Sequence, residues 1–293
     1  MKEAKKVSYA EQMKCSKLDQ FVRPDTDPLS QRITWYNNNS VMFEIVKCLK
    51  HKELQFIGGG MSVRWLSCYT IDLYRSIKKY LKFNSRLCSV YMSLDYYRKI
   101  PLMSFNLSKR GEEYKKWAED RPSHVIGSDF GLDLDMKNGT WRDAIKDAEA
   151  IRNLFKSYGV RYANWRSGEH GFHFIVPFED MPQNVKSLSP EKLIAFYKTF
   201  AEIIATKVKS VDLSIYMPTR VLKCPYTIEK NGTVIFPLDQ ESFKDLVSGK
   251  LNLDQPMEVL KNYNLVNRGI YLQGNKDGIK KFISNWDGWD NAQ

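Results

Sequence analysis

The sequence predicts a mixed α+β fold, in which short strands alternate with amphipathic helices. Apolar residues recur at helical spacing in several segments, for example residues 141–155 and 193–208. Short segments of strand pattern lie between the helical ones, for example residues 126–136 and 172–178. Two of the strand segments also carry aspartates, which predicts that carboxylates gather near one part of a sheet.

The first elements are a helix, a hairpin and a second helix. A helical pattern covers residues 40–49, and two strand patterns, 53–57 and 62–67, flank three turn-forming glycines at 58–60. In residues 72–87 apolar side chains recur at helical spacing and basic ones line the other face. This basic stripe, which could meet a phosphate backbone or be a solvated face, consists of Arg75, Lys78, Lys79, Lys82 and Arg86.

The middle of the chain carries an acidic strand followed by a helix. Residues 126–136 read as one alternating strand, which places Asp133 and Asp135 on the same face. Thr140 can cap the next helix together with Asp143, and Gly159 is a natural stop for it.

Two strands, a helix and a last strand follow. The strands 160–165 and 172–178 bracket the tight segment RSGEHG, and Ser189 with Pro190 begins a second long helix. That helix leads into a strand pattern, VDLSIY, which carries Asp212. Since there is no repeat and no long linker, we expect one domain over residues 1–293, with an N-terminal α/β part (about 1–110) and a carboxylate-bearing part (111–293).

Composition narrows the function classes. The chain has 293 residues, and no apolar run approaches the roughly 18 residues of a membrane span, nor does its charged N-terminus resemble a signal peptide. The five cysteines are odd in number and never form a C-x-x-C pair, which argues against a disulfide framework and a cysteine zinc site. We therefore expect an intracellular protein, in the cytoplasm, the nucleoid or a nucleus. Its formal net charge of +11 raises nucleic acid as a partner.

Three aspartates form the candidate reaction centre. Two carboxylates on one strand face, joined by a third from elsewhere, are a usual way to hold two Mg²⁺ or Mn²⁺ ions for displacement at phosphorus. Asp133, Asp135 and Asp212 fit that pattern. Around them, Ser167, Gly168 and His173 surround a glycine-bounded turn, and Arg220, Lys223 and Lys230 follow Asp212. Metals, cations and such a turn suggest a nucleoside triphosphate.

These residues resemble the archaeal and eukaryotic primase superfamily, specifically the small catalytic subunit of replicative primase. The resemblance rests on GLDLD with Asp133 and Asp135, on S-G-x-x-G-x-H from Ser167 to His173, on Val211 before Asp212, and on KCPYT followed by K-x-G at Lys230. Weaker similarity covers HKELQF, SVRWLS with Arg64, and VYMSLDYYRKIP. The resemblance as a whole implies a primase-polymerase core. Such a core has a central mixed or antiparallel sheet flanked by helices and an RRM-like module that carries the carboxylates.

The resemblance also implies an activity. Asp133, Asp135 and Asp212 would bind two divalent metal ions, while Ser167, Gly168, His173 and Lys230, helped by Arg64, Arg220 and Lys223, would contact an incoming NTP or dNTP. The chain would be a template-dependent nucleotidyltransferase that makes primers or extends strands on a single-stranded DNA template. A large primase subunit or an accessory or helicase domain would be a further partner. The family's zinc knuckle has no counterpart, because no cysteine lies between Asp135 and Ser167, so zinc is not expected.

Two other functions remain open. A nucleotide-sugar glycosyltransferase also uses D-x-D with Mn²⁺, but that reading leaves S-G-x-x-G-x-H and the trailing lysines unexplained. Alternatively, the chain is an inactive primase-like module that binds single strands through basic and aromatic side chains. The string Asp129-Phe130-Gly131 matches a kinase metal motif, but no other kinase motif accompanies it.

Overall fold

A computed structural model describes residues 28–58, 61–65, 88–98, 107–136, 140–167, 171–217, 220–229, 231–263 and 272–285. The predicted helix at 72–87 lies outside these residues, with its whole basic stripe, and so do Gly168 and Lys230. In the described part, no helix combines the length and the apolar character needed to cross a bilayer.

Helices and strands alternate along the chain, as the sequence predicts. The α-helices are α1 (Pro28–Asn37), α2 (Asn39–Cys48), α3 (Leu107–His124), α4 (Trp141–Tyr158), α5 (Gln183–Lys186), α6 (Pro190–Ala205), α7 (Gln240–Val247), α8 (Pro256–Asn262) and α9 (Gly278–Ser284). The strands are β1 (Leu54–Gly58), β2 (Met61–Trp65), β3 (Cys88–Ser93), β4 (Asp95–Tyr97), β5 (Val125–Ser128), β6 (Phe130–Asp135), β7 (Ala163–Arg166), β8 (Gly171–Val176) and β9 (Val221–Lys223). The predicted α+β class is confirmed.

The described strands form three antiparallel sheets. One has the order β2-β1-β3-β9, a second consists of β4 and β5, and the third has the order β6-β8-β7. In the third sheet Asp133 pairs with His173, and His173 pairs with Trp165. The predicted hairpin is present, because β1 pairs with β2 in antiparallel register from Leu54–Trp65 to Gly58–Met61.

The ends of the predicted helices follow from local side-chain chemistry. At the start of α4, the Thr140 hydroxyl accepts a hydrogen bond from the backbone N–H of Asp143, whose carboxylate accepts one in return from the N–H of Thr140. The helix ends at Gly159, which has φ of 69° and therefore takes the left-handed conformation without strain. Ser189 caps α6, with Pro190 in its first turn.

Helices cover one face of the β6-β8-β7 sheet, and the four-stranded sheet lies against the other. On the helical side, Phe155 of α4 makes an edge contact with Phe174, and Trp141 stacks on Phe172 at 5.3 Å between ring centroids. On the opposite side, a Cβ added to Gly131 would lie 2.9 Å from the side chain of Leu94. Residues 133, 135, 165 and 173 point to this second side, because neighbours along a strand alternate between faces.

Two strand predictions are wrong in detail. The predicted strand at 126–136 is two strands that pair in different sheets, and the break falls at Asp129. This carboxylate is buried, where it accepts hydrogen bonds from Lys52 Nζ at 2.6 Å, from the Tyr96 hydroxyl and from the backbone N–H of Phe178. These hydrogen bonds hold Asp129 at the point where the chain leaves one sheet at the end of β5 and enters another at the start of β6.

The predicted strand from residue 211 is reduced to one bridge between Val211 and Leu134. A 3₁₀ turn, Leu213–Ile215, follows at once. Its cause is the carboxylate of Asp212, which accepts a hydrogen bond from the backbone N–H of Ser214 at 2.8 Å and so favours a turn over an extended strand.

The start of the described chain is tied to the segment 226–229. The guanidinium of Arg32 donates to the backbone oxygen of Glu229 at 2.7 Å, and the indole N–H of Trp35 donates to that of Tyr226 at 2.8 Å. The Tyr36 hydroxyl accepts from the backbone N–H of Ile228 at 2.9 Å. These hydrogen bonds join α1 to the segment that follows β9, although the bonded residues are about 190 positions apart in the chain.

Candidate active site

Four side chains form a continuous row across the β6-β8-β7 sheet. Trp165 pairs with His173 and His173 with Asp133, while the backbone N–H of Asp212 donates to the oxygen of Asp133 at 2.8 Å. Since Leu134 and Val211 are bridge partners, Asp212 lies opposite Asp133 across the ladder. Opposite residues of antiparallel strands share a face, so the row brings Trp165, His173, Asp133 and Asp212 to one side of the sheet.

Asp135 and Ser167 lie next to this row. Asp135 pairs with Gly171, and the backbone N–H of Ser167 donates to the oxygen of Gly171 at 2.9 Å. A Cβ on Gly171 would lie 2.5 Å from the Ser167 hydroxyl oxygen and 2.4 Å from the backbone oxygen of Leu134. The absence of a side chain at Gly171 therefore leaves room for the Ser167 hydroxyl to pack against β8, next to Asp135.

The imidazole of His173 is held from both sides. The indole N–H of Trp165 donates to His173 Nδ1 at 3.1 Å, and His173 Nε2 lies 3.2 Å from Asp133 Oδ1. Because Nδ1 accepts a hydrogen bond, the ring proton lies on Nε2, which donates to the carboxylate. Trp165 thus fixes which nitrogen of the ring faces the acidic row.

The surroundings of Asp133 favour the ionised form of its carboxyl group. Burial raises the pKa of its carboxyl group, but His173, Arg220 and Lys223 together outweigh that effect and hold the pKa below its ordinary value. Its side chain is 18% exposed, so it also reaches solvent. A lowered pKa favours the ionised form of the carboxyl group, which is the form that binds cations.

Asp212 is bound by its own turn and approached by a cation. Its two oxygens accept hydrogen bonds from the backbone N–H and the hydroxyl of Ser214, at 2.8 and 2.9 Å. The guanidinium of Arg220 lies 4.0 Å from Asp212 Oδ2 and donates to the Ser214 hydroxyl at 3.1 Å. Arg220 is therefore at the edge of the acidic row, as its place in the sequence suggests.

Lys223 is held by a buried acid. Its Nζ lies 3.1 Å from an oxygen of Glu229, and the same carboxylate accepts from the Ser89 hydroxyl. Burial and the nearby carboxylate of Glu229 raise the pKa of Tyr91, the strand partner of Lys223, to about 12. The backbone oxygen of Lys223 also accepts from the indole of Trp165 at 3.1 Å, which joins the two sheets at the site.

The structure brings together six of the predicted residues. Asp133, Asp135, Asp212, Ser167, His173 and Arg220 lie on or beside the row, and Lys223 joins it through its backbone oxygen. In the four-stranded sheet, Arg64 takes the register position opposite Gln55, which in turn pairs with Tyr91. Within the described ranges, no three His, Cys, Asp or Glu side chains are close enough to hold a metal ion.

Sequence reasoning missed three of the groups that organise the row. Trp165 orients His173, Ser214 binds Asp212, and Glu229 holds Lys223. Trp165 lies in a strand opposite the histidine, and two strands around a tight turn predict such pairing. Glu229 gave no signal, because Ser89 lies 140 residues away in the chain and no local pattern links Glu229 to Lys223.

Comparison with known proteins reveals similarity at the level of structure. The sequence matches no protein-family model, and no curated protein is significantly similar to it. The fold is similar to that of the polymerase domain from Mycobacterium tuberculosis ligase D in complex with DNA, with a TM-score of 0.52 and 13% identity. That match covers 82% of this chain and 91% of the polymerase domain. The chain therefore has the α+β fold of a polymerase domain, with its acidic row on the sheet face that the helices leave uncovered.

Proposed function

We propose that this protein is a template-dependent DNA nucleotidyltransferase of the primase-polymerase type. The observation that carries the proposal is the row in which Asp133 and Asp212 oppose each other, with Asp135 two residues along the same strand and His173 beside them. The shared fold with a polymerase domain supports it. So does the sequence resemblance, which assigns the same three aspartates and His173 to catalysis and nucleotide binding.

The chemistry of the row fits divalent metal ions. Carboxylate oxygens are the ligands that Mg²⁺ and Mn²⁺ prefer, and Asp133 is kept ionised by the cations around it. Asp133, Asp135 and Asp212 would hold the ions once their side chains move closer together, because among the described residues no three such side chains are close enough as they stand. When bound, such ions activate the attacking hydroxyl and neutralise charge on the triphosphate. His173 and Ser214 now hold Asp133 and Asp212, so ion binding would replace these hydrogen bonds.

The remaining groups of the site would bind the nucleotide. His173 presents an N–H at Nε2, which can donate to a phosphate oxygen once Asp133 turns away. Arg220 supplies a guanidinium at the edge of the row, and the Ser167 hydroxyl lies over Gly171 beside Asp135. These donors would orient the triphosphate for attack by a strand's 3′ hydroxyl, with pyrophosphate as the leaving group. Positioning and charge neutralisation account for most of the rate enhancement in such reactions.

The basic charge fits a nucleic-acid template. A formal net charge of +11 favours a polyanion, and we infer that single-stranded DNA is the template and NTPs or dNTPs the substrates. We also propose that the protein starts primers de novo. A partner subunit or an accessory domain would assist this step.

The test is incorporation of labelled nucleotide on a primed and on an unprimed single-stranded template, with Mg²⁺ or Mn²⁺. Asp133→Asn and Asp135→Asn should each lower the rate at least about 100-fold, because each removes a carboxylate that would hold a metal ion at the reacting phosphate. Asp277→Asn is the matched control, since this aspartate is 72% exposed and belongs to another part of the fold. It should retain the parent rate.

Two results would contradict the proposal. Incorporation that survives in Asp133→Asn and Asp135→Asn would show that the row is not the reaction centre. An unmodified protein that binds single-stranded DNA but incorporates nothing with either metal would favour the binding-only module.

A further inference from the structure

A pocket lined by several charged side chains lies between helices α4 and α7. It has a volume of about 850 Å³, which is within the range of small-molecule sites. The described side chains that line it include three cations, Arg152, Lys156 and Lys244, and one acid, Glu149. The excess of positive charge is the first property that a ligand would have to match.

This pocket is separated from the acidic row by the sheet itself. Asn164, which binds Arg152, pairs with Phe174, whereas its neighbour Trp165 pairs with His173. Consecutive strand residues point to opposite faces, so Asn164 and the pocket lie on the helical side. A molecule bound there would not touch Asp133 or His173.

The central group of the pocket is the buried guanidinium of Arg152. It is 5% exposed and lies over the ring of Phe243, 4.3 Å from the centroid. It donates to Asn164 Oδ1 at 2.6 Å and Gln240 Oε1 at 3.0 Å, with longer bonds to Gln273 Oε1 and the backbone oxygen of Asp239. These bonds hold the guanidinium in one orientation.

All of these acceptors are neutral, and no carboxylate among the described residues forms an ion pair with Arg152. Buried charges are normally paired with an opposite charge, because removing an ion from water costs several kcal/mol. Burial accordingly lowers the pKa of Arg152 from its ordinary value, despite more distant acids such as Asp239 and Glu149. An anion in the pocket would supply the missing charge.

A second buried donor lies beside the guanidinium. Asn164 is fully buried, and its Oδ1 accepts from both Arg152 and Gln273, which fixes the orientation of the amide. Its Nδ2 is also buried and has no hydrogen-bond partner. Native proteins contain few such groups, and this one belongs to a side chain that binds Arg152 and Gln273, both of which line the pocket.

We propose that this pocket binds the phosphate group of a nucleotide-sized anion. Arg152 would provide the fixed, planar donor that suits phosphate oxygens, and the exposed side chains of Lys156 and Lys244 would add charge at the rim. The volume of the pocket leaves room for a group attached to the phosphate.

The experiment is titration calorimetry at constant ionic strength, without divalent metal, using inorganic phosphate and ADP as separate probes. The double variant Lys156→Ala/Lys244→Ala changes only exposed side chains of the pocket, so it should fold. We expect its affinity for phosphate to fall at least about tenfold, since charge-assisted hydrogen bonds contribute more than neutral ones. The matched control is Lys146→Ala/Lys280→Ala, which removes two exposed lysines outside the pocket and should bind as the parent does.

The two probes identify the source of the phosphate. Equal affinity for both would assign the pocket to phosphate alone, and tighter binding of ADP would assign it to a nucleotide. The proposal is overturned if the parent binds neither probe, or if both double variants bind equally well. Nucleotide incorporation at Asp133 is measured separately, so failure of one proposal leaves the other intact.

Discussion

The indole N–H of Trp165 donates to Nδ1 of His173 and thereby directs the other ring nitrogen to Asp133. The same N–H also reaches the backbone oxygen of Lys223 in the four-stranded sheet. One buried donor therefore sets the orientation of the histidine and ties together the two sheets that border the acidic row. Its removal should affect the site more than the fold.

Trp165→Phe keeps an aromatic ring but removes this donor. Without it, the imidazole can carry its proton on either nitrogen, and we expect incorporation to fall roughly 10- to 100-fold, because Nε2 then often lacks the proton that it would donate to a phosphate oxygen. Nitrogen NMR of His173 should show a mixture of tautomers. The control is Trp141→Phe, on the opposite face of the sheet, which should leave the tautomer unchanged. An unchanged tautomer in Trp165→Phe would contradict the orienting role.

The lowered pKa of Asp133 predicts how stability depends on pH. A carboxyl group whose pKa lies below its ordinary value of 3.8 stabilises the fold fully above that value, and the stabilisation is lost as the pH falls through the lowered pKa. We therefore expect the difference in free energy of unfolding between the parent and Asp133→Asn to shrink below pH 3.8. Urea unfolding without metal, from about pH 5 to pH 2, measures it. A difference that grows on acidification would be inconsistent with the lowered pKa.

Gly171→Ala should damage both stability and activity. The new Cβ would lie 2.4 Å from the backbone oxygen of Leu134, so β8 must move away from β6 beside Asp135. Such overpacking costs about 1–3 kcal/mol and should displace the row. Gly131→Ala is the comparison, because its nearest neighbours are side-chain ends of Leu94 that can shift. The urea concentration at the midpoint of unfolding should be clearly lower for Gly171→Ala than for Gly131→Ala. Equal midpoints would contradict the expectation.

The buried pair of Lys52 and Asp129 should be costly to break. Lys52→Met leaves a buried carboxylate without its cation, and we expect a loss of about 3–5 kcal/mol in unfolding free energy. Combining it with Asp129→Asn should cost less than the sum of the single changes, since neither charge then remains alone. Lys280→Ala, from an exposed pair with Asp277, should change the unfolding free energy far less, because solvent screens that pair. Additive losses in the double variant would argue against coupling.

Local rules predicted the helices α2, α4 and α6 and the shared face of two aspartates on β6. The cap at Thr140, the stop at Gly159 and the start at Ser189 depend on residues within one turn, so the sequence alone indicates them. Alternation along 130–135 likewise placed Asp133 and Asp135 on one face, and the register agrees with it.

Contacts between distant segments account for what the sequence did not predict. The break at Asp129 depends on Lys52, which is 77 residues away, and the position of Lys223 depends on Ser89 through Glu229. No local pattern in residues 126–136 distinguishes a continuous strand from two that pair in different sheets, because the deciding partners come from elsewhere.

The bonds from Arg32 and Trp35 to the segment 226–229 constrain the order of folding during synthesis. Their partners are 197 and 191 residues downstream, so at about 5–20 residues per second the ribosome needs on the order of 10–40 s to deliver them. Until then Trp35 and Tyr36, which are buried in the finished fold, lack the backbone groups that they bind. The hydrogen bonds that hold Trp35 and Tyr36 in the core therefore form only after most of the chain has been synthesised.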